Sequence, residues 1–201
     1  LKPKRSTLSS RASVDLNRTI TFRHSPKTFT GVPLMAANMD GVGTFSMAKV
    51  LQKYNCITVI NKHYSLDDWR EAIGRGNGNL LHNIAVCTGA NMIHDPNAED
   101  YYNIKKILEQ WPDINYICLD VANGYQEAFS SFVAKVRKEY PDKIIIAGNV
   151  ITPEMTEQLI IRGADIVKCG IGPGSVCTTR TMTGVGYPQV SGIMECADAA
   201  H

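Results

Sequence analysis

Six short apolar runs, separated by longer amphipathic segments, constrain this chain more than any other feature of its sequence. They cover residues 32–39, 57–61, 81–87, 116–122, 143–150 and 166–171. Each reads as a nearly continuous hydrophobic stretch and not as an alternation, the pattern of parallel strands covered on both faces. Between the runs, apolar side chains recur at helical spacing. Met47, Val50, Leu51 and Tyr54 form one set, Ile104, Ile107, Leu108 and Trp111 a second, and Phe129, Phe132, Val133 and Val136 a third. Segments 153–162 and 191–200 complete the helical series. Strand starts return at intervals of a few tens of residues, as serial β-α units require.

Such a series closes either as a doubly wound sheet or as a barrel. A doubly wound sheet normally announces itself with a glycine-rich turn after its first strand, and Asn38-Met-Asp-Gly-Val-Gly43 is a weak imitation of one. Polar residues instead follow nearly every run: Asn38 and Asp40, Lys62 and His63, Thr88, Asp120 and Asn123, and Asn149. Side chains gathered from many strand ends are the signature of a (β/α)8 barrel. The expected fold is therefore an α/β TIM barrel, with about six β-α units spanning residues 31–201 and the C-terminal units missing. Residues 1–30 are polar and basic, and Leu16, Ile20 and Phe22 suggest an N-terminal arm or hairpin. The charges of Lys2, Lys4, Arg5 and Arg11 read first as solvated surface.

Composition narrows the function. A net charge of +2 with interspersed signs offers no basic stripe for nucleic acid. No run approaches the roughly 20 apolar residues that cross a bilayer. No leader-like segment opens the chain, so the Asn17-Arg18-Thr19 sequon carries no weight. The six cysteines form no C-x-x-C pair, and Cys56, Cys87, Cys118 and Cys169 lie in or beside apolar runs, where a thiol packs as a small hydrophobe. A reduced, cytoplasmic protein is expected. Trp69, Trp111 and the Tyr101-Tyr102 pair read as helix packing, and His63 as a structural donor.

The chemistry concentrates after the sixth run, in Lys168-Cys-Gly-Ile-Gly-Pro-Gly-Ser-Val-Cys-Thr-Thr-Arg180. Its glycines free the backbone to point amides and carbonyls at a ligand. Ser175 offers a hydroxyl to an anion. Cys177, flanked by Thr178, Thr179 and Arg180, sits in a polar strand-end context, where a thiol can become a nucleophilic thiolate.

Gly170-Ile-Gly-Pro-Gly-Ser-Val-Cys-Thr-Thr-Arg180 closely resembles the catalytic loop of the IMP dehydrogenase/GMP reductase family of barrels. Thr183-Gly-Val-Gly-Tyr-Pro-Gln189 and Glu195-Cys-Ala-Asp-Ala-Ala-His201 extend the resemblance. Lys2-Pro-Lys-Arg-Ser-Thr-Leu8, Phe22-Arg-His-Ser25, Ala36-Ala-Asn-Met-Asp40, Lys62-His-Tyr-Ser65, Asp120-Val-Ala-Asn-Gly-Tyr125 and Ala147-Gly-Asn-Val150 look like the family's GMP reductase branch.

The resemblance implies irreversible, NADPH-dependent reductive deamination of GMP to IMP. In it, the residue matching Cys177 attacks C2 of the purine, ammonia leaves, and a covalent thioimidate is then reduced. Thr179 matches the hydroxyl that handles the departing amine. Gly172, Gly174 and Cys177 match carbonyl ligands of K⁺, with Arg180 at the same site. Ser175 matches a phosphate contact. Lys62, Asp120, Val121, Ala122, Ile171 and Gly172 match cofactor contacts. Ser10 and Arg11 match cofactor contacts from a neighbouring subunit of a homotetramer, or are plain surface. Asn38, Asp40 and Asn149 either bind base or ribose or cap turns. Gly41, Ala90 and Met182 depart from the family pattern. Extra length within residues 74–97, rich in Gly and Asn, reads as a variable surface loop. An IMP dehydrogenase-like oxidoreductase is the nearest alternative, although the span from Lys62 to Leu81 has no room for that enzyme's inserted domain pair. A nucleotide-binding module without activity is the other.

Overall fold

The computed structural model describes residues 2–74, 76, 78–90 and 99–201, Glu99 through its backbone alone. Two antiparallel strands come first, β1 (Arg18–Thr21) and β2 (Thr28–Gly31), paired from Arg18↔Gly31 to Thr21↔Thr28. Six parallel strands follow: β3 (Met35–Ala36), β4 (Ile57–Val59), β5 (Ile84–Thr88), β6 (Tyr116–Asp120), β7 (Ile144–Val150) and β8 (Ile166–Cys169). Their order in the sheet is their order in the chain, β3-β4-β5-β6-β7-β8. A doubly wound sheet reverses direction at a switch point; this one runs on without reversal and curls as part of a TIM barrel.

Helices α1 (Phe45–Leu51), α2 (Leu66–Ile73), α3 (Glu99–Gln110), α4 (Glu127–Glu139) and α5 (Pro153–Ile161) fill the crossovers, and α6 (Thr178–Thr183) and α7 (Gln189–Ala199) follow β8. The strands bury both faces. Ile84, Val86, Ile117, Leu119, Ile145 and Ala147 face the helices. Their neighbours Ala85, Cys87, Tyr116, Cys118, Ile144 and Ile146 face inward, which accounts for the continuous apolar runs. Phe29 of the hairpin joins the inward cluster, with Phe22 packed against it, so the hairpin plugs the N-terminal ends of the strands.

Several expectations need correction. The helix after β3 buries Phe45 and Ala48, whereas Val50 lies on its exposed face and Tyr54, in the 3-10 turn that follows Leu51, is exposed as well. Helix α2 places Trp69 in helix packing, as expected. Ser65 and Asp68 form a capping box, and Trp69, Ala72 and Ile73 are its buried face. Tyr101 is buried but Tyr102 is exposed, so that pair does not pack together. Leu16 and Ile20 are exposed, leaving Phe29 to anchor the hairpin. The segment read as a surface loop contains a 3-10 helix, Gly78–Asn83, that buries Leu80 and Leu81, and then β5. Residues 75, 77 and 91–97 of that expectation lie outside the described residues. Among the described residues, no helix is long and apolar enough to cross a membrane.

Candidate active site

Polar side chains gather where the parallel strands end. Asn38 follows β3, Asp120 ends β6, and Lys168 rises from β8. Lys168 Nζ donates to Asp120 Oδ1 at 2.6 Å and to Asn38 Oδ1 at 2.9 Å. Asn38 Nδ2 donates to Asp120 Oδ2 at 2.6 Å, closing a three-membered ring. Burial opposes the charge on Lys168, but neighbouring Cys118 and Asp120 outweigh it and hold its pKa above the ordinary lysine value. Lys62, after β4, pairs with Asp100 of α3 at 2.7 Å. Asn38, Asp40, Lys62, His63 and Asp120 line one cleft of about 300 Å³. The ring of His63 is exposed and makes no hydrogen bond among the described residues; only its backbone amide is held, by Asn61. The expected structural-donor role is therefore not one its imidazole performs.

At the end of β7 the ladder slips. Gly148 pairs with Lys168 and Val150 with Cys169, so Asn149 is the extra residue of a bulge. Bulges at barrel rims re-aim side chains, and here Asn149 Nδ2 reaches the Gly170 carbonyl at 3.0 Å. Its Oδ1 is buried and finds no hydrogen-bond partner among the described residues. Val121 exchanges backbone hydrogen bonds with β7, its amide to Gly148 and its carbonyl from Asn149. Ala122 is exposed beside it.

The loop after β8 is stitched shut at its base and open at its tip. The Tyr187 amide donates to the Ile171 carbonyl at 3.0 Å, and Gln189 Nε2 donates to the Cys169 carbonyl at 3.0 Å. Gly172 has φ +60, and a Cβ there would stand 2.6 Å from the Val185 carbonyl oxygen, so only glycine lets the two arms meet. The tip residues Pro173 to Val176 are exposed. The chain turns back there, with the Cys177 amide donating to the Gly174 carbonyl at 3.2 Å and an Arg180 guanidinium nitrogen reaching the Ser175 carbonyl at 3.5 Å.

Cys177 stands at the N-cap of α6. Its thiol pKa is lowered, first by the Arg180 amide, then by the Thr179 amide, with the Thr179 hydroxyl and the Arg180 charge adding to them. Two other thiols move the opposite way. Cys169 is pushed up to about 12 by burial and by its hydrogen bond with Cys196. Cys87 is raised by its hydrogen bond with Cys118 and by burial. All six cysteines are free. Cys177 is thus prepared to ionise, whereas the thiols of Cys87 and Cys169 are held neutral.

This arrangement meets what the comparisons find. The IMP dehydrogenase / GMP reductase domain matches residues 1–201. The chain belongs to that family. GMP reductase 2 of Homo sapiens is 57% identical over all 201 residues of the chain, and GMP reductase 2 of Bos taurus is 55% identical over the same span. A GMP reductase of Escherichia coli (strain K12 / DH10B) is 53% identical, again over the whole chain. The chain spans 56% of the length of each of these relatives.

For a member of this family, the fold brings Asn38, Asp40, Lys62 and Asp120 to one cleft, and Gly172, Gly174, Ser175, Cys177, Thr179 and Arg180 to one loop. Asn149 touches that loop through Gly170. Ser10 and Arg11 stand apart in the exposed N-terminal arm, where the Ser10 hydroxyl caps the Ala12 amide. Lys168 and Asp100 went unread as site residues. The strand-end lysine was visible in the sequence, but its reach across to Asp120 was not. Of the departures, Gly41 adopts φ +75, a conformation suited to glycine. Ala90 packs against the core, and Met182 is exposed.

Proposed function

We propose that this chain carries the reaction centre of a GMP reductase, a cytoplasmic homotetramer that converts GMP to IMP at the expense of NADPH. The observation that carries the reading is Cys177, an exposed-side thiol with a lowered pKa beside the Thr179 hydroxyl. Full-chain identity of 53–57% with proteins named GMP reductase supports it. The Cys177 thiolate adds to C2 of the guanine ring, and the C2–N bond breaks as the amine departs, protonated, as ammonia. Thr179 is positioned to hold that amine through its hydroxyl. The sulfur leaves C2 after reduction and returns as thiolate. A nucleophile that is also a competent leaving group divides one difficult displacement into two easier steps.

Bound NADPH supplies the two reducing electrons. The cleft suits such a ligand: Lys62 offers a cation to phosphate, Asp120 offers acceptors to ribose hydroxyls, and Val121, Ala122, Ile171 and Gly172 border the strand ends. Ser175, at the exposed tip, is free to meet the nucleotide phosphate, and Asn38, Asp40 and Asn149 to meet base or ribose. Ser10 and Arg11 would reach the cofactor of a neighbouring subunit.

For K⁺ the donor set also fits. The Gly172 carbonyl accepts no hydrogen bond among the described residues. The Gly174 carbonyl accepts one, from the Cys177 amide, and the Cys177 carbonyl accepts from Thr181. The Gly172 and Gly174 carbonyls therefore keep capacity for a hard monovalent ion, whereas the Cys177 carbonyl already accepts from both the amide and the hydroxyl of Thr181 and would exchange one of them for the ion. Arg180 packs over the same turn.

The test is spectrophotometric, on the full-length protein. GMP-dependent loss of NADPH absorbance with formation of IMP is expected. Formation of NADH from IMP and NAD⁺ would instead mark a dehydrogenase, and nucleotide binding without turnover would mark a binding module.

A further inference from the structure

Lys168 projects from the inner face of β8, and the strand between it and Asp120 makes its reach possible. Gly148 of β7 pairs with Asp120 on one side and with Lys168 on the other. A Cβ at position 148 would stand 2.6 Å from Lys168 Cβ and 2.5 Å from the Lys168 carbonyl oxygen. With glycine there, the lysine side chain crosses β7 and its ammonium arrives at Asp120.

The resulting ring leaves little freedom. The Asn38 carbonyl must face the ammonium, and its NH2 must face the carboxylate. That decides which atoms stay available to a ligand: the second amide hydrogen of Asn38 and the remaining acceptor directions of Asp120. Asn38 and Asp120 line the 300 Å³ cleft and Lys168 does not. Whatever Lys168 does for a ligand, it does through them.

We propose that Lys168 is a positioning residue for cofactor recognition, fixing Asp120, with Asn38 locked beside it, as the acceptor that takes the ribose hydroxyls of the reduced dinucleotide. This rests on the reductase reading above. Without the ammonium, the carboxylate loses its charged partner and the amide is free to flip, so acceptor and donor no longer present a fixed pattern.

Lys168→Met, Lys168→Arg and Asp120→Asn are compared with wild type in the full-length protein. NADPH affinity is read by fluorescence titration, GMP affinity by calorimetry, and folding by thermal unfolding. Lys168→Met is expected to weaken NADPH about tenfold or more, the usual cost of losing a supporting partner behind a contact residue. GMP affinity, touched only through Asn38, should fall by less than NADPH affinity does, and KM for NADPH should rise more than KM for GMP. Lys168→Arg should recover most of the loss. In the Asp120→Asn background, Lys168→Met should add little, because both changes act through one carboxylate. Unchanged NADPH affinity in Lys168→Met overturns the proposal. So does a parallel loss of NADPH affinity, GMP affinity and melting temperature, which would mark a purely structural lysine. Wild-type protein that binds NADPH but does not oxidise it with GMP sinks the reductase reading instead, and the binding comparison still decides Lys168.

Discussion

Asp165 and Asp120 sit at opposite ends of the same sheet and are both paired with a cation, yet their surroundings differ completely. Asp165, just before β8, is fully buried. Its Oδ1 accepts from the His24 and Ser25 amides at 2.9 and 3.2 Å, and its Oδ2 from the Ile145 amide at 3.0 Å and from Arg137. Arg137 in turn donates to the carbonyls of Gly163, Tyr140, Pro141 and Lys143. That network ties hairpin, helix and sheet together and leaves nothing for a ligand. The Asp120 side chain is 28% exposed, opens onto a cleft, and is fixed by two partners among the described residues. The lesson is that a barrel separates stability from chemistry by strand end: polar groups are saturated where the strands begin and left partly free where they finish.

The comparison can be broken most forcefully at Cys177. Replacing it by alanine is expected to lower GMP-dependent NADPH oxidation by about 10⁴-fold or more, as loss of a covalent nucleophile does, with the melting temperature unchanged. Steady-state kinetics and thermal unfolding check it, and retained turnover would remove Cys177 from the mechanism.

The next effect belongs to the opposite end. Asp165→Ala leaves a buried arginine without its counter-ion, at an expected cost of about 3–5 kcal/mol, read as a shift in urea midpoint. Alkylation of Cys177 in the folded protein should proceed at the wild-type rate. A matching change in that rate would show that the two ends are coupled.

Gly148→Ala probes the strand that joins them. The added methyl group would press on the Lys168 backbone and Cβ, so a loss of about 1–3 kcal/mol from overpacking is expected, again by urea unfolding. Because a displaced Lys168 no longer holds Asp120 in place, this variant should weaken NADPH binding as well, unlike Asp165→Ala.

The smallest effect concerns the thiol itself. Its folded pKa is depressed, so the thiolate dominates above that lowered value and disappears as pH falls through it. Alkylation should therefore stay fast below the ordinary thiol range and slow only in more acidic solution. Thr179→Val removes one hydroxyl hydrogen bond but keeps the Arg180 and Thr179 amides. The rate profile should move modestly towards higher pH, and an unmoved profile would deny the hydroxyl a part.

Much of the barrel was legible. Runs such as 143–150, with no polar side chain between Lys143 and Gly148, could be only doubly covered strands, and β7 covers Ile144–Val150. Phe129, Phe132, Val133 and Val136 all became the buried face of α4. Boundaries were less clear, because hydrophobicity reports burial and not hydrogen bonding. Residues 32–39 are apolar, yet only Met35–Ala36 pair as strand. Around the site, Cys177 declared itself through its glycine-rich, polar neighbourhood. Lys168 did not, since a lysine inside an apolar strand reveals neither its partner nor its direction.

By itself the sequence determined the periodicity of strand and helix, the glycine loop that can carry an exposed thiol, and membership of a family. These are local: they depend on which side chain follows which. Only the tertiary structure decided that Lys168 meets Asp120 and Asn38 across 48 and 130 residues of chain. It also decided that Phe29, and not Ile20, plugs the strand ends, and that Asn149 is the residue displaced by the bulge. Each follows from strand register and sheet curvature, which are set by the packing of the whole core and by no single stretch of it.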